Sequence, residues 1–152
     1  ENLLNSNRTT LRELRLTLSS VINQVRDEIY KLRSNKSKEF HQQLSEQIEV
    51  LLSGSEIKVE IDGQIAVKPE DKFELLRAIK ELVLNAKRHA NCSLITIQLT
   101  SKLITIKDNG QGGVRKKDNS YGIDGVKERL NLIGHTMQME SNSSGTIITI
   151  SI

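Results

Sequence analysis

Apolar residues recur along this chain at two different spacings, and the switches between them divide it into elements. From Arg8 to Arg33 there is no Gly or Pro, and Leu4, Leu11, Leu14, Leu18, Val21, Val25, Ile29 and Leu32 fall mostly three or four apart. That pattern predicts one long amphipathic helix. Its narrow seam, flanked by Arg12, Glu13, Arg15, Arg26 and Asp27, suits a helical bundle between chains, and packing on its own domain is the other reading. Ser34-Asn35-Lys36-Ser37 predicts a break. Phe40, Leu44, Ile48, Leu51 and Leu52 then mark a second helix, stopped by Ser53-Gly54-Ser55. Ile57 to Ile61 alternates strictly and predicts a strand, with Asp62-Gly63 as its turn.

Pro69 suits the first turn of a long helix that places Leu76, Ile79, Val83, Ala86 and Ala90 on one side. On its other side Arg77, Glu81, Asn85, Arg88 and His89 share a stripe. Beyond Asn91, Leu94 to Leu99 and Lys102 to Ile106 predict a hairpin whose second strand delivers Asp108 at its end, where a loop residue can meet a ligand. Residues 110–121 have no periodicity and read as a short mobile loop. Ile123, Val126, Leu130 and Ile133 predict a last helix ended by Gly134, and Met137 to Glu140 with Thr146 to Ile152 predict two more strands. This order predicts an α+β fold, a two-layer α/β sandwich with helices on one face of a mixed sheet, preceded by the long amphipathic helix.

Composition narrows the classes. At 152 residues the chain has room for one well-packed domain plus an appendage. With 36% hydrophobic residues, 3% aromatics and no Trp, its core must be aliphatic. No apolar run approaches the roughly 20 residues that cross a bilayer. The single Cys92 excludes an internal disulfide, and one cysteine with three scattered histidines makes no zinc-ligand spacing, so a reducing compartment fits. A net charge of +3, without a basic face interleaved with aromatics, argues against direct nucleic-acid binding.

Neither a P-loop nor a dinucleotide fingerprint is present, so phosphates would be held by other means. Glu81 and Asn85 offer oxygen ligands to a hard cation such as Mg²⁺, and Arg88 offers a partner for the phosphates such a cation accompanies. An ionised Asp108 accepts hydrogen bonds only, so it can take one from an adenine amino group but cannot pair with a guanine carbonyl. Gly122 to Gly125 would present backbone N–H groups at the start of the last helix. Taken singly, these are a solvated helix face, an Asp-Asn-Gly turn and an ordinary helix start. Their order along the chain carries the stronger reading.

Glu81-x-x-x-Asn85-x-x-Arg88-His89, Asp108-Asn109-Gly110-Gln111-Gly112-Gly113 and Gly122-Ile123-Asp124-Gly125 followed by Val126-Lys127-Glu128-Arg129 resemble the N box and glycine boxes of the GHKL ATPases. The nearer resemblance is to sensor histidine kinases of the DesK, NarX and LiaS type, over roughly residues 8–152. It implies a Bergerat ATP-binding fold over 35–152, with residues 1–34 as the last helix of a dimerisation and phosphotransfer domain. It also implies ATP and Mg²⁺ as cofactors. Asn85 would bind the cation with support from Glu81, which makes these two the catalytic pair. Arg88 and His89 would lie at the phosphates and nucleotide, Asp108 would select adenine, Gly110 and Gly112 would admit base and sugar, Gly122 and Gly125 would face the phosphates, and Thr146 would lie under the adenine. Ser120, Gly113 and Asp124 depart from the family pattern.

The same resemblance implies transfer of the ATP γ-phosphoryl to a histidine and then to a response regulator, expected to be a DNA-binding one of the LuxR/NarL type. It implies a homodimer through the N-terminal helix, in the cytoplasmic part of a sensor whose membrane segment lies elsewhere. No acidic residue follows His41 as one follows the family's acceptor, so the acceptor helix is expected before residue 1. The alternatives are a protein-serine kinase of the anti-sigma-factor type, a chaperone or repair ATPase using Glu81 as base, and a degenerate scaffold that binds no nucleotide.

Overall fold

The computed structural model of the chain describes residues 2–36, 39–112 and 120–152. It forms two compact units, Glu1–Lys38 and Glu39–Ile152. The first is helix α1 (Asn2–Lys36), which runs past the break expected at Ser34 because Ser-Asn-Lys contains neither Gly nor Pro to stop it. Leu11, Leu14, Leu18, Val21, Val25 and Ile29 of its seam are all exposed.

The second unit contains α2 (Phe40–Leu52), β1 (Lys58–Gly63), α3 (Pro69–His89), β2 (Leu94–Leu99), β3 (Leu103–Asp108), α4 (Ser120–Leu132), β4 (Thr136–Asn142) and β5 (Gly145–Ser151). The strands form one mixed sheet in the order β1-β2-β3-β5-β4. β1 pairs in parallel with β2, and the remaining pairs are antiparallel. The expected turn at Asp62-Gly63 is instead the end of β1, where Gly63 pairs with Leu99 and its N–H donates to the Asp62 side chain. Parallel pairing with β2 outweighs the local turn signal there.

Alternation along β2, β3 and β5 places Ile95, Ile97, Leu99, Ile104, Ile106, Ile148 and Ile150 on one face, where they join Leu44 and Ile48 of α2, Leu75, Ile79 and Val83 of α3, and Val126 and Leu130 of α4 in a single aliphatic core. The molecule is the two-layer α+β arrangement its periodicities predict. At the end of this face the row Ile95, Asp108, Thr146 crosses β2, β3 and β5. A carboxylate and a hydroxyl there take the positions that Ile occupies in the neighbouring rows.

Helix α4 ends in a Schellman motif. The His135 N–H donates to Leu130 O at 2.9 Å and the Gly134 N–H to Asn131 O at 3.1 Å, with Gly134 at φ +83, a conformation that glycine adopts without strain. The motif delivers His135 into the interior, where its Nε2 lies 3.0 Å from Asp71 Oδ2 in the first turn of α3. A carboxylate accepts only, so Nε2 carries the proton, and the buried Nδ1 has no partner among the described residues. Asp71→Ala removes the ring's one partner, and we expect it to lower stability by about 1–3 kcal/mol, read as a lower urea midpoint. An unchanged midpoint would mean that the pair contributes nothing. His41 is half-buried in α2 and donates from Nδ1 to the Gly63 carbonyl at 2.7 Å.

Candidate nucleotide site

Helix α3 turns Leu75, Ile79, Leu82 and Val83 into the core, which leaves Glu81 and Asn85 half-buried at its edge and Arg88 and His89 exposed at its C-terminal end. Lys87, Arg88 and His89 in this last turn oppose the negative end of the helix dipole. Lys87 also donates to Leu51 O at 3.1 Å. Arg88 and His89 form no hydrogen bond or ion pair among the described residues, and so stand apart from the network described next.

The segment after β3 is fastened to the end of α3. Asp108 is buried, and its Oδ1 accepts the Gly110 N–H at 2.9 Å. Its second oxygen has no partner among the described residues. Asn109 Oδ1 accepts the N–H groups of Ser93 and Leu94 at 2.9 and 3.0 Å, and the Gln111 N–H donates to Ala90 O at 3.0 Å. Gly110 lies so close to α3 that a Cβ there would fall 2.1 Å from Ala90 O. Gly112, at φ +61, lies against the β4–β5 turn, and a Cβ on it would fall 1.5 Å from Asn142 O. Thr146 lies beside Asp108 in register, its hydroxyl 3.1 Å from that of Ser141. Burial, and after it the nearby Asp108 charge, pushes the Cys92 thiol above its ordinary pKa.

Helix α4 packs along α3 beside Glu74, Glu81 and Asn85. Gly122 and Gly125 lie within the first two turns of α4 as described from Ser120. A Cβ on Gly122 would lie 3.6 Å from Asn85 Nδ2. One on Gly125 would lie 3.7 Å from Arg129 Nη1. Arg129 donates from Nε to Glu74 Oε1 at 2.8 Å and from Nη2 to Glu81 Oε2. Burial works against its charge, but the hydrogen bonds and charges of Glu81 and Glu74 outweigh burial and raise its pKa above the ordinary value.

The structure therefore places Gly122 beside Asn85 and Gly125 beside the Arg129 that holds Glu81, and gathers Asp108, Gly110, Gly112 and Thr146 just past the C-terminal end of the same helix. The loop expected over 110–121 falls largely in 113–119, outside the described residues. Sequence reasoning gave Arg129 no role. Its signal was the placement of Glu74 and Glu81 two turns apart on one helix face, a pair of half-buried carboxylates needing a cation.

No family model matches the chain. It is 34% identical over 88 residues to the signal transduction histidine-protein kinase/phosphatase DegS of Brevibacillus brevis, covering 53% of this chain and 23% of that protein. It is 29% identical over 119 residues to the nitrate/nitrite sensor protein NarQ of Escherichia coli, covering 71% of this chain and 21% of that protein. The chain is a relative of the sensor histidine kinases. It spans about a quarter of the length of the curated histidine kinase relatives it matches. The histidine kinase domain of the blue-light activated kinase EL346 from Erythrobacter litoralis shares its fold, with a TM-score of 0.65 and 18% identity over 75% of this chain and 64% of that one.

Proposed function

We propose that the chain is the ATP-binding catalytic portion of a two-component sensor histidine kinase. The observation that carries this reading is Asp108, a buried carboxylate on the core face at the end of β3, with one oxygen held by the Gly110 amide and the other unpartnered among the described residues. An acceptor oxygen left free in this way is open to a donor, and the exocyclic amino group of adenine is such a donor. Thr146 lies beside it as a second hydrogen-bonding group.

The residues at the other end fit a magnesium-bound triphosphate. The Asn85 carboxamide forms no hydrogen bond among the described residues and is half-buried beside Gly122, so its oxygen is available to a hard cation. When bound, Mg²⁺ neutralises phosphate charge and orients the γ-phosphoryl for in-line transfer. Glu81 supports this end with its carboxylate fixed by Arg129, while Arg88 and His89 offer cationic and hydrogen-bonding contacts at the rim. Gly122 leaves room for the phosphates beside Asn85.

The phosphoryl group passes to a histidine and then to an aspartate of a response regulator. Of the three histidines, His41 is bonded to Gly63 O and His135 is buried against Asp71, while His89 belongs to the site itself, so the acceptor is one outside residues 1–152. The exposed seam of α1 pairs with that of a second copy in a helical bundle. No described helix is long and apolar enough to cross a membrane. The proposed setting is the cytoplasmic part of a membrane-anchored sensor, with a DNA-binding regulator of the LuxR/NarL type as partner.

Calorimetric titration of ATP and GTP, with and without Mg²⁺, tests the reading. We expect adenine-selective binding that weakens about tenfold or more in Asn85→Ala or without the cation, a change of about 1.4 kcal/mol or more. No nucleotide binding at all would move the function to a regulatory scaffold.

A further inference from the structure

The contact that no motif anticipated is the one between Arg129 of α4 and the two carboxylates Glu74 and Glu81 of α3. Its three side chains retain only 27%, 21% and 32% exposure. At that depth an unpaired charge is costly, so the guanidinium and the two carboxylates hold each other in place. Arg77 approaches Glu74 at 3.9 Å from the exposed side, and the four groups together are neutral. The guanidinium fork reaches both carboxylates at once, from Nε and Nη2, which fixes its plane and with it the orientation of Glu81.

Glu81 is also the residue that could act as a base toward water if its carboxylate were free near the γ-phosphate. Hydrolysis would then form a bond from the water oxygen to the γ-phosphorus and break the bond from that phosphorus to the oxygen bridging to ADP. The water proton would pass to Glu81 and on to solvent. A kinase must not spend ATP in this way while it waits for its acceptor. In this chain Glu81 Oε2 is committed to Arg129, whose charge persists across the physiological pH range.

We propose that Arg129 is a positioning residue that holds the Glu81 carboxylate against α4 and withholds it from water, so that nucleotide bound at Asn85 and Gly122 is kept for transfer. This rests on the nucleotide-binding reading given above. The same contact ties α4 to α3 next to the point where Gly122 lies beside Asn85.

The test uses the full chain and the variants Arg129→Met, Glu74→Gln and Arg129→Met with Glu81→Gln. With Mg·ATP, Arg129→Met is expected to raise steady hydrolysis at least about tenfold, short of the ~10²–10⁴ of a fully positioned base, and adding Glu81→Gln is expected to abolish that rise. Glu74→Gln loosens the guanidinium without touching Glu81, and should give a smaller rise in the same direction. It carries the test alone should Arg129→Met not fold. Without nucleotide, amide exchange over Gly122 to Val126 should quicken in Arg129→Met while Ile95 to Leu99 stay protected.

Unchanged hydrolysis in variants that bind Mg·ATP overturns the proposal, as does a rise that survives in the double variant. A drop in Mg·ATP affinity with no gain in hydrolysis also overturns it and assigns Arg129 to the phosphates. Failure of the wild-type chain to bind Mg·ATP overturns the functional reading and this inference together, an outcome set apart from the others by the binding titration.

Discussion

Asp108→Ala is expected to weaken ATP binding by about 1.5–3 kcal/mol, roughly 10- to 150-fold in Kd, with the loss confined to adenine nucleotides. The size follows from the kind of bond. A largely buried carboxylate that accepts from a neutral N–H donor makes a charge-assisted hydrogen bond, stronger than one between neutral groups. Asp108→Asn sharpens the test. It can keep the acceptor for the Gly110 N–H while turning an NH₂ toward the base, so ATP affinity should fall and discrimination against GTP should shrink. Calorimetric titration of both variants reads both effects. An ATP affinity equal to that of the wild type would remove Asp108 from the binding site.

Gly112→Ala should cost roughly 2–4 kcal/mol of stability, a sizeable share of the about 5–15 kcal/mol that holds a domain together. Two penalties add. At φ +61 an alanine is strained by about 1–2 kcal/mol, and its Cβ would fall 1.5 Å from Asn142 O, an overlap with backbone that no rotamer relieves. Gly54→Ala is the control. Gly54 has φ +77 but nothing within 4 Å of the added carbon, so it should show the strain alone, about 1–2 kcal/mol. Urea unfolding of the two variants separates conformation from contact. Equal losses would mean that the approach of 108–112 to the β4–β5 turn relaxes freely.

The elements were legible because nearly all are half-buried, so that period in the sequence reports directly on burial. Ile95, Ile97 and Leu99 alternate with Leu94, Thr96 and Gln98, and the sheet buries the first set more deeply. The insertion of β5 between β3 and β4 was not legible, since it depends on pairing between residues such as Ile106 and Ile148, remote in the chain and alike in type. In the candidate site, helical spacing showed only that Glu81 and Asn85 share one face of α3. The attachment of Glu81 to Arg129 joins residues 48 apart, and that of His135 to Asp71 joins residues 64 apart. Local periodicity carries no record of such pairs.

The strand order leaves β1 and β4 at the edges of the sheet, and β1 presents Lys58, Glu60 and Asp62 as its exposed residues. An added strand would have to stack side chains against that alternating row of charge and strip its water. Such a border discourages sheet-to-sheet growth.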